Sequence, residues 1–460
     1  MIGSDREVPM QRTTRRSFLA GSAAGAAVWT SRVSTAASRK PGPNDTLLMG
    51  LIGCGGQGRA DMRTHLQIPG VRFTAVCDVN ARRLQDGARD SGNDQVKTCR
   101  DYRRLLEDRE IDAVIVATNG HWHVLPVIHA CQAGKDVYVE KPLGTSIGEG
   151  RAAVEAARRY NRVVQIGTQQ RSGDHYQRAC EVIRSGRLGS ISEVKVWDFD
   201  NFWPGFGSPP DAPPPEEFGE NGWDLWLGPS PKVPYNPNRF LRHYWFFDYG
   251  GGWQLDWAVH HYDIVNWCMG VTAPVSAVAV GGFYAFKDSN TQWPDTFSGI
   301  CEYGPGPVSP NGFVMQYSFR GACVNVTSYA SAHGKVFFGS DASLVLDRSG
   351  YTIREEPPQE AREEPWRLPS LTREVERVAG DPDMLLKHAR AFVDSVRSRS
   401  RPAADVENGH HASVPGHLMN IAWRVGRRIR WDGMTEQVLD DPAAGALVTK
   451  SYRAPWALTV

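Results

Sequence analysis

The residues best suited to chemistry lie in Gly250-Gly251-Gly252-Trp253-Gln254-Leu255-Asp256-Trp257-Ala258-Val259-His260-His261-Tyr262-Asp263. After the glycine break the pattern predicts a helix. On it Asp256 and His260 stand one turn apart on one face, and Asp263 follows three residues later. A carboxylate beside an imidazole orients the ring and raises its basicity, which suits a general base that takes a proton from a hydroxyl group. The same three side chains could hold a metal as a minor alternative. An acidic residue near a helix start beside a partly buried histidine also needs no chemistry at all. His261, five residues from Asp256, points elsewhere.

Upstream, apolar runs alternate with helical stretches. Strands are expected at Leu47–Ile52, Phe73–Cys77, Ala113–Ala117, Val137–Val139 and Val163–Ile166, and helices at 58–66, 81–90, 101–107, 122–133 and 146–160. Continuous apolar strands with helices between them indicate a doubly wound parallel sheet covered on both faces. The first strand runs into Gly53-Cys54-Gly55-Gly56-Gln57-Gly58. Gly53 permits the tight turn, Gly55 lets backbone approach a pyrophosphate, and Gly58 lets helix and strand pack closely. The next helix offers free N–H groups to phosphate. Asp78, 25 residues after Gly53 and at the end of the second strand, can accept hydrogen bonds from adenosine ribose hydroxyls. These features predict a nicotinamide dinucleotide site formed by Gly53, Gly55, Gly56, Gln57, Gly58 and Asp78. The carboxylate favours NAD, while Arg82 and Arg83 keep NADP open. Thr118, Asn119 and His123 end the next strand at the same sheet edge. Loop packing around the cofactor is a simpler reading of His121-Trp122-His123 than a metal pair. In Glu140-Lys141-Pro142 a lysine at a strand's carboxyl end can set an ammonium beside nicotinamide; on local sequence alone it is a surface lysine in a turn.

Beyond residue 165 the alternation stops. A helix near 174–184 precedes strand-like runs at 191–200, 275–284, 296–303, 312–319, 324–329, 334–339 and 342–346, a pattern that predicts an α+β domain with a mainly antiparallel open sheet. Between them, 201–249 is a long excursion rich in Pro, Gly and Trp. Loops of that length are usually functional or disordered, and its aromatic content argues for order. Its tryptophans suit sugar stacking and core packing equally well.

The 460 residues carry 52 Lys and Arg against 51 Asp and Glu, a formal charge of +1 that argues against a nucleic-acid partner. No apolar run reaches the roughly 20 residues of a membrane span, so no stable membrane anchor is expected. Residues 13–19, Thr-Thr-Arg-Arg-Ser-Phe-Leu, followed by a mild apolar stretch and Ser34-Thr35-Ala36-Ala37, predict a twin-arginine export signal over 1–37 and a periplasmic location. The eight cysteines show no paired spacing. Because that route carries folded proteins from a reducing cytoplasm, mostly free thiols are expected.

Together the Gly53–Gly58 loop, Glu140-Lys141-Pro142, Gly250-Gly251-Gly252 and Asp256-x-x-x-His260-x-x-Asp263 resemble the Gfo/Idh/MocA oxidoreductase family over about residues 46–432. Trp223-Asp224-Leu225-Trp226-Leu227-Gly228-Pro229 and a late helix ending Val425-Gly426-Arg427-Arg428-Ile429-Arg430-Trp431-Asp432 look like its exported subgroup. The resemblance implies catalytic roles for Lys141, Asp256 and His260, with Glu140 and Lys141 also touching the cofactor. Asn119 stands where the family usually has Pro, and Ala258 where Gly is usual. The domains expected are a signal peptide at 1–37, a linker at 38–45, a Rossmann domain at 46–170, an α+β substrate and oligomerisation domain at 171–435 and a tail at 436–460. Arg171 and Trp245 are expected to line the substrate cleft with Asp256 and His260. The expected activity is oxidation of a sugar, glycoside or cyclitol hydroxyl on a tightly bound NAD by a homo-oligomer, dimer or tetramer, without a metal. The rivals are an NAD-dependent glycosidase or lyase that works by transient oxidation and elimination, and a sugar-binding protein with an inactive site.

Overall fold

Six short apolar strands separated by helices close into a fully parallel sheet in a computed structural model of the protein, which describes residues 46–325, 331–357 and 372–460. The expected signal and linker, 1–45, lie outside the described residues. The strands are β1 (Leu47–Ile52), β2 (Val71–Cys77), β3 (Lys97–Cys99), β4 (Ala113–Val116), β5 (Asp136–Val139) and β6 (Val164–Ile166), in the order β3-β2-β1-β4-β5-β6. The order reverses between β1 and β4, and this switch point opens a crevice at the carboxyl edge. Met49, Leu51, Val114, Val116, Val137 and Val139 are fully buried, as continuous apolar strands require. Edge strand β3 escapes sequence reading because Lys-Thr-Cys is short and exposed.

The second sheet has ten strands: β7 (Glu193–Phe199), β8 (Ser276–Gly282), β9 (Thr296–Tyr303), β10 (Phe313–Arg320), β11 (His333–Phe338), β12 (Ala342–Asp347), β13 (Gly350–Glu355), β14 (Arg373–Ala379), β15 (Ile429–Asp432) and β16 (Gln437–Leu439). Their order is β14-β13-β12-β11-β7-β10-β9-β8-β15-β16, and only the β7–β10 pair is parallel. On β9 and β10 burial alternates: Cys301, Met315 and Tyr317 point into the core, while Ile300 and Val314 lie on the outer face. Helices Val259–Met269 and Val406–Val425 pack on each other behind this sheet, and the second also packs on helix Ile147–Arg159 of the first domain. No described helix is long and apolar enough to cross a membrane.

Three differences from the sequence reading matter. The late helix Val406–Val425 stops at Gly426, which takes a left-handed φ of 68°, and Ile429–Asp432 is strand β15 paired with β8, not helix. Helix Met384–Ser398 lies inside the stretch assigned to the second domain, yet it packs on the first: Ala389, Phe392 and Val393 share a core with Met49, Leu51, Phe73 and Tyr138. In the expected tail at 436–460, β16 extends the sheet and the segment beyond it runs back over the parallel-sheet domain. The expected strand over 324–329 lies mostly outside the described residues.

Candidate active site

At the end of β1 the chain turns so sharply that Gly53 takes a φ of +97°, where a Cβ would sit 2.5 Å from the Ala117 carbonyl oxygen. A Cβ on Gly58 would lie 2.0 Å from the Gly53 oxygen, so helix Gly56–His65 can approach β1 only without one. Gly55 and Gly56 face open space: a Cβ on Gly55 would meet only an Arg83 nitrogen at 3.9 Å, and one on Gly56 nothing within 4 Å. The loop thus leaves room for a pyrophosphate over the helix N-terminus. Asp78 Oδ2 accepts from the Cys54 N–H (2.8 Å) and Oδ1 from the Asn80 N–H (2.9 Å). Each oxygen keeps a lone pair for a ribose hydroxyl. Burial raises the Asp78 pKa, while the two N–H groups, Arg83 and Arg100 oppose the rise. Arg100 is committed to the carbonyls of Val79 and Phe218, whereas Arg83 lies over the Phe240 ring, 4.6 Å from its centroid. Asp78 opens into a pocket walled by Tyr102, Trp122, Leu225, Trp226, Phe240 and Trp456. These residues fit an adenine dinucleotide.

From that pocket a cleft of about 410 Å³ runs past Gly55, Gly56, Gln57, Thr118, Asn119 and His123 to Glu140, Lys141, Trp253, Asp256 and Trp257. Of the residues expected to hold the cofactor, Gly55, Gly56, Gln57, Thr118, Asn119, His123, Glu140 and Lys141 line this cleft, Gly53 and Asp78 line the first pocket, and Gly58 lines neither. His123 ties the loop after β4 to the turn after β5, with Nδ1 at 2.7 Å from the Pro142 oxygen and Nε2 at 3.0 Å from the Thr118 oxygen. Buried Glu140 accepts from the Gln169 amide at 2.9 Å and from the Lys141 N–H at 3.3 Å. The turn that presents Lys141 is thereby fixed from both sides.

Lys141 Nζ donates to the backbone carbonyl of Asp256 at 2.5 Å and stands 5.9 Å from the centroid of the Trp257 ring. This contact explains a departure from the expected helix. With the Asp256 carbonyl bonded to Lys141, the His260 N–H turns to the Trp257 oxygen (3.2 Å), and the helix divides into Trp253–Asp256 and Val259–Met269. Asp256 and His260 therefore lie on separate helical segments. Asp256 opens on the dinucleotide cleft, its Oδ2 accepting from the Gly251 N–H at 2.9 Å. His260 opens on a second cavity of about 220 Å³, lined also by Gln57, Asp61, Glu140, Gln169 and Arg348. Lys141 and Trp257 border both spaces.

The two groups also differ electrostatically. Burial pushes the Asp256 pKa up to about 7, against the pull of the Lys141 ammonium and the Gly251 N–H. Burial, joined by Lys141, Arg348 and Lys335, drives the His260 pKa well down, so the ring is a neutral imidazole. Its buried Nδ1 has no hydrogen-bond partner among the described residues, and neither has Asp61 Oδ2. Burial and the Glu140 charge hold Asp61 well above the usual carboxylate range.

Two expected substrate residues line neither space. Arg171 is buried with Nε 2.8 Å from both Asp263 oxygens, and its guanidinium lies 5.3 Å from the Trp267 ring centroid, so Asp263 serves an internal ion pair rather than His260. Trp245 is 1% exposed within the aromatic core. Trp253 stacks on it at 6.4 Å and carries that aromatic wall into the cleft, joined by Tyr244. Asp61, Gln169, Tyr244, Trp253, Trp257 and Arg348 are site residues that sequence reading missed; of these, only Trp253 and Trp257 stand in the stretch read for Asp256 and His260. Trp223 and Trp226 of the excursion stack on each other at 4.6 Å as core, not as an open sugar platform. His121 Nε2 lies 2.8 Å from the Trp226 oxygen, which ties the excursion to the dinucleotide domain. All eight cysteines are unpaired, and among the described residues no group of three or more His, Cys, Asp or Glu could hold a metal.

Comparison with known proteins agrees with this geometry. Residues 47–168 match the Gfo/Idh/MocA oxidoreductase family, NAD-binding Rossmann fold, and residues 175–295 and 366–458 match its C-terminal alpha/beta domain. An uncharacterized oxidoreductase of Bacillus subtilis, YrbE, is 29% identical over 34% of this chain and 45% of its own length. The rhizopine catabolism protein MocA of Rhizobium meliloti is 26% identical over 56% of this chain and 68% of its own length. For the scyllo-inositol 2-dehydrogenase (NAD(+)) of B. subtilis the values are 29%, 47% and 51%. The chain thus spans about half to two thirds of these relatives. Among solved structures, levoglucosan dehydrogenase in complex with NADH and levoglucosan superposes with a TM-score of 0.62 at 17% identity, covering 84% of this chain and 99% of that one. Apo scyllo-inositol dehydrogenase from Lactobacillus casei gives 0.58 at 16% identity, over 84% and 98%. Both structures share the fold. With both halves of the chain matched in order, and the glycine loop and the Lys141 turn at the crevice of an NAD-binding sheet, the chain belongs to the Gfo/Idh/MocA oxidoreductase family.

Proposed function

We propose that the protein oxidises a CH–OH group of a sugar, glycoside or cyclitol with a tightly held NAD. The observation that carries this reading is the position of Lys141, at the end of β5 and between the dinucleotide cleft and the cavity of His260. Bound NAD supplies the hydride acceptor. The chain's own groups do the rest. The Lys141 ammonium donates to the substrate oxygen and stabilises the negative charge that develops there. Asp256, its pKa raised by burial to about 7, takes or returns the hydroxyl proton from the cleft side. The neutral ring of His260 keeps Nδ1 free to accept a proton on the far side of Lys141. Trp253 and Trp257, stacked at 5.8 Å, offer an apolar face to a sugar ring. Asp78 supports NAD over NADP, because a 2′-phosphate would meet its carboxylate.

Three further readings stand on the same footing. Export is supported by Arg15-Arg16 before Ser17-Phe18-Leu19; replacing both arginines by lysine, which lacks the planar guanidinium, should retain the protein in the cytoplasm. A homo-oligomer is supported by exposed Val280, Ile300 and Val314 on one face of the ten-stranded sheet. A cofactor that cycles in place is supported by Leu225, Trp226 and Phe240, through which the excursion covers the adenosine pocket. An exported enzyme has little free NAD to exchange, so the hydride must return to a second carbonyl compound or to the same sugar. The test mixes dialysed enzyme with polyols, glycosides and carbonyl acceptors without added NAD. Sustained turnover supports the closed cycle, and glycoside cleavage would reveal oxidation followed by elimination. Activity only with stoichiometric NAD, and NADH accumulating in solution, would make it an ordinary dehydrogenase.

A further inference from the structure

The adenosine pocket has a wall from an unexpected part of the chain. After β16 the chain returns to the parallel-sheet domain: the Gly148 N–H donates to the Val448 oxygen at 3.0 Å, and Lys450 Nζ donates to Thr145 Oγ1 at 3.1 Å and the Asp248 oxygen at 2.7 Å. The Arg453 guanidinium donates to the carbonyls of Gly228 (2.8 Å) and Ser230 (2.9 Å) and to Asp224 Oδ1 (3.0 Å), which fastens the segment to the end of helix Gly222–Leu227. A turn closed by the Trp456 N–H and the Arg453 oxygen (3.0 Å) then delivers Trp456 edge-on to Trp122, with ring centroids 4.8 Å apart. The Arg103 guanidinium lies over the Trp456 ring at 4.9 Å. In that position the half-buried indole lines the same pocket as Asp78, Tyr102 and Trp226.

We propose that Lys450–Trp456 is a strap that closes the adenosine end of the dinucleotide site and sets the rate at which the dinucleotide leaves. Trp456 is the residue that touches the adenosine, and Arg453 is a positioning residue that holds it there. The proposal rests on the reading that this pocket takes the adenosine of NAD. Three separate pieces of chain build the pocket: Tyr102 and Trp122 from the sheet domain, Leu225, Trp226 and Phe240 from the excursion, and Trp456 from the strap. Tyr102, Trp122 and Trp226 belong to the buried apolar cores, whereas Trp456 is only partly buried at their edge and Arg453 secures the strap through hydrogen bonds to the carbonyls of Gly228 and Ser230. Segments held in that way open at lower free energy than packed cores, so the strap is the wall that moves when the ligand escapes. Contacts that close over a ligand act mainly on its dissociation rate.

The test uses the full-length protein loaded with NADH and follows loss of NADH fluorescence when excess NAD displaces it. Trp456→Ala should release NADH about tenfold faster or more, with Trp456→Phe intermediate. Affinity for AMP and ADP-ribose should fall in Trp456→Ala, while affinity for nicotinamide mononucleotide stays native. Should Trp456→Ala fail to fold, Arg453→Gln gives the same reading without altering the pocket wall: faster release supports the strap, and the native rate overturns it. Native release from Trp456→Ala, or an equal loss of AMP and nicotinamide mononucleotide affinity, also overturns it. Failure of the native protein to bind NADH would instead remove the dinucleotide reading beneath it.

Discussion

Asp256 carries an ionisation that kinetics can see. As a base it must be deprotonated, so hydroxyl oxidation should fall as pH drops below the Asp256 pKa of about 7 and level off above it. Asp256→Asn should abolish that limb of the kcat/KM profile and cost about 10²- to 10⁴-fold in rate; an unchanged profile would assign the proton to another group. Lys141→Ala should lose a comparable factor while NAD binding, measured by titration calorimetry, stays near native. Combining it with His260→Ala should cost far less than the product of the two single losses if both act on one proton. Asp78→Ala should narrow the preference for NAD over NADP, and an NADP preference in the native protein would overturn the ribose assignment. At this scale the sequence offered candidate reactive groups but not how they are shared. Spacing alone put Asp256, His260 and Asp263 on one face. The structure gives the Asp256 carbonyl to Lys141 and the Asp263 carboxylate to Arg171, partners 115 and 92 residues away. No local period encodes such contacts.

Among the elements, β1 and helix Gly56–His65 meet at Gly58, where a methyl group would stand 2.0 Å from the Gly53 oxygen. Gly58→Ala should therefore lower stability by about 1–3 kcal/mol, as overpacking does, and weaken NAD binding more than distant surface changes; denaturant melts with and without NAD measure both. Strands such as β4 and β5 were legible because burial on both faces forces an unbroken apolar run. Strand β3 was not, because an exposed edge tolerates Lys97 and Thr98. The stretch 429–432 reads as the end of a helix until Gly426 takes its left-handed turn and Ile429 pairs with Ala277. The cleft aromatics were not legible: Trp253 and Trp257 stand in the stretch read for Asp256 and His260, but only packing shows that they reach the cleft while Trp245, expected there, stays in the core.

Across the whole molecule, the two sheets are bound by chain segments that cross between them. Helix Met384–Ser398 returns to the parallel-sheet domain and buries Phe392 completely against it. Phe392→Ala should cost about 3–5 kcal/mol, and calorimetry should show both domains melting earlier in one transition; an unshifted transition for the ten-stranded domain would show that the two fold independently. The two-domain class was readable from alternating and successive strands. The return of 384–398 and of the strap was not, since both rest on contacts between residues far apart in the chain. In the proposed chemistry Lys141 acts on a substrate hydroxyl beside bound NAD. The most direct test is single-turnover mixing of NAD-loaded protein with a panel of sugars, glycosides and cyclitols, following nicotinamide reduction in native and Lys141→Ala protein. Rapid reduction by at least one compound is expected in the native protein, and almost none in a variant that binds NAD equally well. Equal reduction in both, or a native protein that binds no dinucleotide, would contradict it.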